Sequence, residues 1–131
     1  MSTRLFIYGT LKRGGRLHRY MRDQKFLGEV KTTPQYRLFN VSWFPGLREQ
    51  ADEDEGEGKE IEGELYEVDD RCLAILDQVE GVPSLLDERR AVTVQNPPIS
   101  DDGEKLVQSY FYKGDVSKLA EAGTCWPVGG E

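Results

Sequence analysis

The chain has 131 residues, of which 37% are hydrophobic and 31% charged, and its formal net charge is −7. That length fits one domain spanning 1–131, able to bury about two thirds of its unfolded surface without disulfide or metal staples. The acidic balance argues against a nucleic-acid partner, which needs a basic face, and apolar runs of only a few residues argue against a membrane partner, since a spanning helix needs about 20.

Arg4 to Tyr8 reads as a mostly apolar strand closed by Gly9. The loop Thr10 to Arg16 carries two glycines and three basic residues. Leu17 to Gln24 has Leu17, Tyr20 and Met21 at helical spacing and predicts a short helix. Two strands are expected over Phe26 to Val30 and Tyr36 to Val41, and Trp43-Phe-Pro-Gly46 reads as a turn. Ala51 to Lys59 is acidic and poor in apolar residues, the pattern of a mobile loop. Ile61 to Val68 alternates Ile61, Gly63 and Leu65 against Glu62, Glu64 and Tyr66, which predicts a half-buried strand. Asp69 or Asp70 is a plausible N-cap for a helix running to Glu80 and ended by Gly81 and Pro83. Late strands are expected over Ala91 to Gln95 and Val107 to Lys113, on either side of the turn-rich Asn96 to Lys105. Six or seven strands with two or three short helices give an α+β class with a largely antiparallel sheet or barrel.

Cys72 and Cys125 form no Cys-x-x-Cys pair, which fits a reduced, cytoplasmic protein, and residues 1–20 show no secretory-leader pattern. His18 is the single histidine. A His-rich zinc site is thereby disfavoured, and a Ser-His or Cys-His nucleophile has one candidate base.

Periodicity singles out one acidic residue. On a helix from Asp70 to Glu80, Cys72, Leu73, Ile75, Leu76 and Val79 fall on one face, and Glu80, four residues after Leu76, sits at its edge. A carboxyl group facing the interior is costly to ionise, and the resulting rise in its pKa makes it a usable proton shuttle near neutral pH. Two other readings stay open: Glu80 ends its helix pointing to water, or it pairs with Arg89 or Arg90.

The loop after the first strand, Tyr8-Gly-Thr-Leu-Lys-Arg-Gly-Gly15, is the second singular feature. Gly9 and Gly14 have the offset of a phosphate-binding P-loop, but Gly15-Arg16 stands where Lys-Ser or Lys-Thr belongs. Backbone N–H groups presented to a carboxylate are the better functional reading; a tight turn that needs glycine is the plainer one. Lys12 and Arg13 are read as attraction for a substrate carboxylate or as solvated loop charges. Tyr8 either lines a pocket or packs, and Trp43 and Phe44 either wall a pocket or fill core.

Several segments in order resemble one family. Phe6-Ile-Tyr-Gly-Thr-Leu-Lys-Arg-Gly14 is similar to the N-terminal motif of the γ-glutamylcyclotransferase-like superfamily, in its γ-glutamylamine cyclotransferase and AIG2-like branch. Phe44-Pro-Gly46 resembles its aromatic-Pro-Gly segment, Glu62-Gly-Glu-Leu-Tyr-Glu-Val68 its Gly-Glu-x-Tyr strand, and Leu76-Asp-Gln-Val-Glu-Gly81 the segment with its catalytic glutamate. Ala122-Gly-Thr-Cys-Trp126 looks like a variant of a C-terminal Gly-Asp-Trp element. The resemblance implies a compact mixed β-barrel with a few short flanking helices. It implies attack of a γ-glutamyl α-amine on its own γ-carbonyl, giving 5-oxoproline and a free amine. Glu80 is then the general acid/base, and Tyr8, Gly9, Thr10 and Leu11 form the substrate-binding segment, with backbone N–H groups as oxyanion donors. It also implies a small γ-glutamyl substrate, a monomer, and no metal or organic cofactor.

The sequence departs from the family in two places, and in one of them Gly123-Thr-Cys-Trp126 lacks the aspartate. Where many relatives carry Tyr-x-Arg after the glutamate, this chain has Leu86-Asp-Glu-Arg-Arg90, leaving Arg89 or Arg90 as the matching arginine. That departure motivates a second class of function, a module that binds a γ-glutamyl or other small carboxylate without turnover. A third is a protein-interaction domain that uses the acidic loop over residues 49–60.

Overall fold

The computed structural model describes residues 2–42, 44–50, 58–82, 87–95 and 106–126. The first strand, β1 (Ser2–Ile7), ends in Leu5-Phe6-Ile7, all buried. Its apolar run does not alternate because both of its faces are covered. Leu5 and Ile7 pack on one side with Met21, Val68, Cys72 and Leu76, while Phe6 packs on the other with Leu38, Leu47 and Leu65.

Seven further strands are described: β2 (Lys25–Lys31), β3 (Tyr36–Asn40), β4 (Pro45–Glu49), β5 (Glu62–Asp69), β6 (Asp87–Ala91), β7 (Val107–Tyr112) and β8 (Glu121–Gly123). Five form one sheet in the order β2-β5-β1-β7-β6, in which only β1 and β7 pair in parallel. The other three form an antiparallel sheet, β4-β3-β8. The expected α+β, largely antiparallel character is present. A closed barrel is not formed by the hydrogen-bonded ladders of the described residues. Where β7 and β4 lie side by side, the Arg48 guanidinium bonds the carbonyls of Tyr112 (2.9 Å) and Gly114 (3.3 Å). A side chain spans a gap there that a ladder would otherwise fill.

The helix α1 (Asp70–Val79) begins and ends as its sequence dictates. Asp69 is the N-cap, and its Oδ1 accepts from the Cys72 N–H at 2.7 Å. At the other end Gly81 adopts φ 76°; its N–H bonds the Gln78 carbonyl at 3.1 Å and the Val82 N–H bonds Asp77 at 2.9 Å. This pair of bonds is a Schellman stop, which needs a residue free to take the left-handed conformation. Glu80 is therefore held as the last residue before the reversal. The buried stripe is narrower than periodicity suggested: Cys72 and Leu76 are buried, whereas Ile75 is 44% exposed. Among the described elements the helix packs mainly against β5, β1 and the turn His18–Met21, which leaves Ile75 exposed.

Other expectations shift for identifiable reasons. The helix placed over residues 17–24 is a single 3₁₀ turn, His18–Met21. Pro45 and Gly46, read as a turn, open β4; proline is tolerated at the first position of an edge strand. The strand expected over residues 91–95 lies at β6, whose Asp-Glu-Arg-Arg run has no hydrophobic alternation, while Val92 and Val94 are buried beyond its end. Strand β8 was not anticipated, being three residues of Glu-Ala-Gly. Trp43 and most of the acidic loop fall outside the described residues.

Removing the cap tests the helix start. Asp69→Ala should lower unfolding stability by about 1 kcal/mol in urea titration, while Asp69→Ser, which keeps an acceptor, should stay within a few tenths of wild type.

Candidate active site

The segment that leaves β1 is held from several directions. The Lys12 N–H returns to the Gly9 carbonyl at 3.0 Å and the Leu17 N–H to the Thr10 carbonyl at 2.9 Å. Glu64 on β5, only 7% exposed, accepts from the Arg13 N–H (3.0 Å), the Arg13 Nε (3.2 Å) and the Tyr66 hydroxyl (3.2 Å). Lys12 is 6% exposed, and its Nζ donates to the Trp126 carbonyl at 2.7 Å. Neither basic residue behaves as a freely solvated loop charge; both act as ties. With the turn fixed this way, the N–H groups of Gly9, Thr10 and Leu11 donate to no partner among the described residues, although all three residues are buried. Buried N–H groups without partners are uncommon, and several in succession form a ready anion site.

Glu80 lines the same cleft. Its walls are Ile7, Tyr8, Gly9, Thr10 and Leu11 on the strand-and-loop side, together with Phe44, Pro45 and Tyr110. The structure thus brings all five sequence-identified site residues into one cavity, with a volume of about 20 Å³, room for about one water. Among the described residues no hydrogen bond and no cation reaches the Glu80 carboxyl group. The alternative of an ion pair does not hold, because Arg89 is bound to Asp77 and Arg90 to Glu49 and Glu88. Burial raises the Glu80 pKa to about 8, helped by the nearby charge of Asp87. Asp87 is itself raised to about 7 by burial.

Tyr8 lines the cleft and also braces the fold. Its hydroxyl donates to the Tyr110 carbonyl at 2.6 Å and accepts from the Leu47 N–H at 3.3 Å, so it braces β1 against both sheets. Burial, with the charges of Glu80 and Asp87, holds the phenol well above its ordinary pKa, so it remains neutral.

A second network anchors the end of α1. Arg89 grips Asp77 with two bonds (Nε to Oδ1 2.9 Å, Nη2 to Oδ2 3.2 Å) and reaches Gln108 at 2.6 Å, while the Tyr110 hydroxyl donates to Asp77 Oδ1 at 2.7 Å. Of the two arginines considered for the Tyr-x-Arg position, Arg89 is the one tied to the helix that carries Glu80.

Sequence reasoning missed Glu64, Asp77 and Asp87. Glu64 was assigned to a solvated face because it alternates with Leu65; the aromatic Tyr66 on that same face was the available signal that β5 is covered on both sides. Asp87 sits in a polar run without periodicity, and its only mark is its place two residues before Arg89. Among the described residues no three His, Cys, Asp or Glu side chains cluster as metal ligands. A larger, open groove of about 470 Å³ runs past Lys12, Glu29, Glu62, Glu64 and Cys125. Glu29 and Glu62 are exposed and Glu64 is already bonded, so the smaller cleft is where unpartnered chemistry converges.

The two raised carboxyl pKa values have a stability consequence. The folded state binds these protons more tightly than the unfolded chain, so their contribution is fully present below about pH 4 and is lost as pH rises through about 7 to 8. In urea unfolding, Glu80→Gln should match wild type near pH 4 and become progressively more stable than wild type up to about pH 9.

Comparisons with known proteins show the family and the fold. Residues 5–127 match the sequence model of the family described as gamma-glutamyl cyclotransferase, AIG2-like. The chain is 35% identical over 127 residues to gamma-glutamylaminecyclotransferase from Homo sapiens, covering 82% of this chain and 76% of that protein. The crystal structure of an AIG2-like protein from Mus musculus superposes with TM-score 0.68 at 28% identity, covering 94% of this chain and 87% of that one. The fold is also that of c4763, a uropathogenic E. coli-specific protein, with TM-score 0.72 at 21% identity over 93% of this chain and 88% of that one. The chain belongs to the γ-glutamyl cyclotransferase, AIG2-like family.

Proposed function

We propose that this protein cyclises a γ-glutamyl group to 5-oxoproline and releases a free amine, with Glu80 as general acid/base. One observation supports the reading: Glu80, whose carboxyl group no described side chain bonds, lines one cleft with the buried residues Gly9, Thr10 and Leu11, whose N–H groups donate to no described partner. Cyclisation needs both. The nucleophile is tethered to its target, so holding it in attack geometry supplies much of the rate. Glu80 takes a proton from the α-ammonium, and the freed nitrogen attacks the γ-carbonyl carbon. The oxyanion that develops accepts hydrogen bonds from Gly9, Thr10 and Leu11. Glu80 returns its proton to the departing nitrogen as the old C–N bond breaks. Over the reaction the α-nitrogen gives up two protons and the leaving amine gains both, so a single carboxyl group that alternately accepts and donates keeps the balance. A pKa near 8 suits that double role at neutral pH.

No step in this scheme calls on a metal or an organic cofactor, and a small substrate acting on a monomer in the cytoplasm is the simplest setting for it.

Mass-spectrometric detection of 5-oxoproline, after incubation with a panel of γ-glutamyl amines and γ-glutamyl amino acids, tests the reading. Wild type should form product, and Glu80→Gln should fold normally yet lose about 10²–10⁴-fold in rate. Full activity in Glu80→Gln would remove Glu80 from the mechanism. Tight binding without product would point instead to a module that holds γ-glutamyl compounds without turnover.

A further inference from the structure

We propose that Asp77 is a positioning residue for Glu80: backed by Arg89, it holds the Tyr110 hydroxyl and so keeps that donor from the Glu80 carboxyl group. Asp77 lies in α1, and Glu80 follows three residues later as the C-cap, a spacing that puts the two on neighbouring parts of one helix face. On the sheet, Arg89 of β6 and Tyr110 of β7 are direct cross-strand partners, so their side chains leave the same face side by side. Both converge on one carboxylate. The Tyr110 hydroxyl donates to Asp77 Oδ1 at 2.7 Å, Arg89 Nε to the same oxygen at 2.9 Å, and Arg89 Nη2 to Oδ2 at 3.2 Å. Tyr110 is also pinned at its backbone, where its carbonyl accepts from the Tyr8 hydroxyl at 2.6 Å.

Tyr110 is 1% exposed and lines the cleft together with Glu80. A buried phenol has to place its proton on an acceptor, and this end of α1 offers it two carboxyl groups. The guanidinium of Arg89 decides between them. Asp77, gripped in two bonds, is the charged acceptor and makes the stronger hydrogen bond. Glu80 is raised to about 8 by burial and by the charge of Asp87, so at neutral pH it is mostly protonated and the poorer acceptor. The competition matters when Glu80 ionises to receive the α-ammonium proton. A hydroxyl donated to that carboxylate would favour its charged form and make it a weaker base. The other groups around the cleft do not compete for this part. Tyr8 of β1 gives its hydroxyl to Tyr110, and Phe44 and Pro45 carry no charge. Asp87 of β6, raised to about 7 by burial, adds negative charge once ionised. In the reaction Asp77 and Tyr110 form and break no covalent bond.

The kinetic consequence rests on the acid/base reading of Glu80, but the capture of the hydroxyl does not, and the experiment separates them. In protein labelled with ¹³C at the Glu carboxyl carbons, the Glu80 midpoint is followed against pH by NMR in wild type, Asp77→Ala and the double variant Asp77→Ala/Tyr110→Phe. Released from Asp77, the hydroxyl should turn to Glu80 and lower its midpoint by roughly one pH unit or more. Taking the hydroxyl away as well should recover most of that fall. In turnover of a γ-glutamyl amine, the acidic limb of kcat/KM should follow the midpoint, and kcat of Asp77→Ala should drop about tenfold with KM little changed. No fall in Asp77→Ala overturns the proposal. A fall that the double variant keeps also overturns it, because loss of the Asp77 charge then explains the shift. Fall and recovery in a protein that forms no 5-oxoproline uphold the positioning role and reject the cyclotransferase reading alone. Should Asp77→Ala fail to fold, Tyr110→Phe decides: Glu80 should keep its wild-type midpoint, and a changed midpoint overturns the proposal, since the hydroxyl would then already serve Glu80.

Discussion

Everything at the cleft depends on a buried carboxylate that does no chemistry. Glu64 reaches from the middle of the five-stranded sheet to hold the backbone and the side chain of Arg13, and Tyr66 on the same face steadies it. A buried charge is tolerated when it is hydrogen-bonded on several sides, and removing such a partner strands the others. With Arg13 fixed, the turn from Gly9 to Lys12, closed by the bond from the Lys12 N–H to the Gly9 carbonyl, has little freedom, and the N–H groups of Gly9, Thr10 and Leu11 are left without described partners beside the cleft. Gly63 completes the arrangement by absence: a Cβ there would lie 2.4 Å from the Ile7 carbonyl oxygen and 2.7 Å from the Phe6 ring. The Gly-Glu-x-Tyr pattern is thus one device, in which glycine lets β5 approach β1, glutamate holds the loop, and tyrosine holds the glutamate.

Most of the site was legible in the sequence because it is built from local signals. The Schellman stop is written in Glu80-Gly81, the cap in Asp69, and the loop in the glycines that follow Tyr8. These features depend on residues within one turn of each other. What was hidden depends on partners far along the chain. Nothing near Glu64 reveals that Arg13 comes to meet it, and nothing near Asp77 reveals Arg89. Two-sided burial also defeats period-2 reasoning, since on β5 both the Leu65 face and the Glu64 face are covered. The sheet order followed no local rule either, because β1 takes β7 as a parallel neighbour from the other end of the chain.

The departure from the family at the Tyr-x-Arg position takes a physical form in the structure. The arginine remains, anchoring the helix end through Asp77, and the position two residues before it carries a buried acid. Burial raises the pKa of this acid and of Glu80 alike. The cost falls on the folded state as pH rises from about 4 through 7 to 8.

The bond from the Tyr8 hydroxyl to the Tyr110 carbonyl spans 102 residues. During synthesis, which starts at the N-terminus, the loop and the glutamate are made long before the strand that closes over them. At about 5–20 residues per second, the ribosome leaves β1 waiting about 5–20 s for β7. Through that interval one edge of β1 is an open template, and its Leu-Phe-Ile run is the stretch a chaperone would have most reason to cover. A contact made late in birth order is therefore one that completes a wall of the cleft.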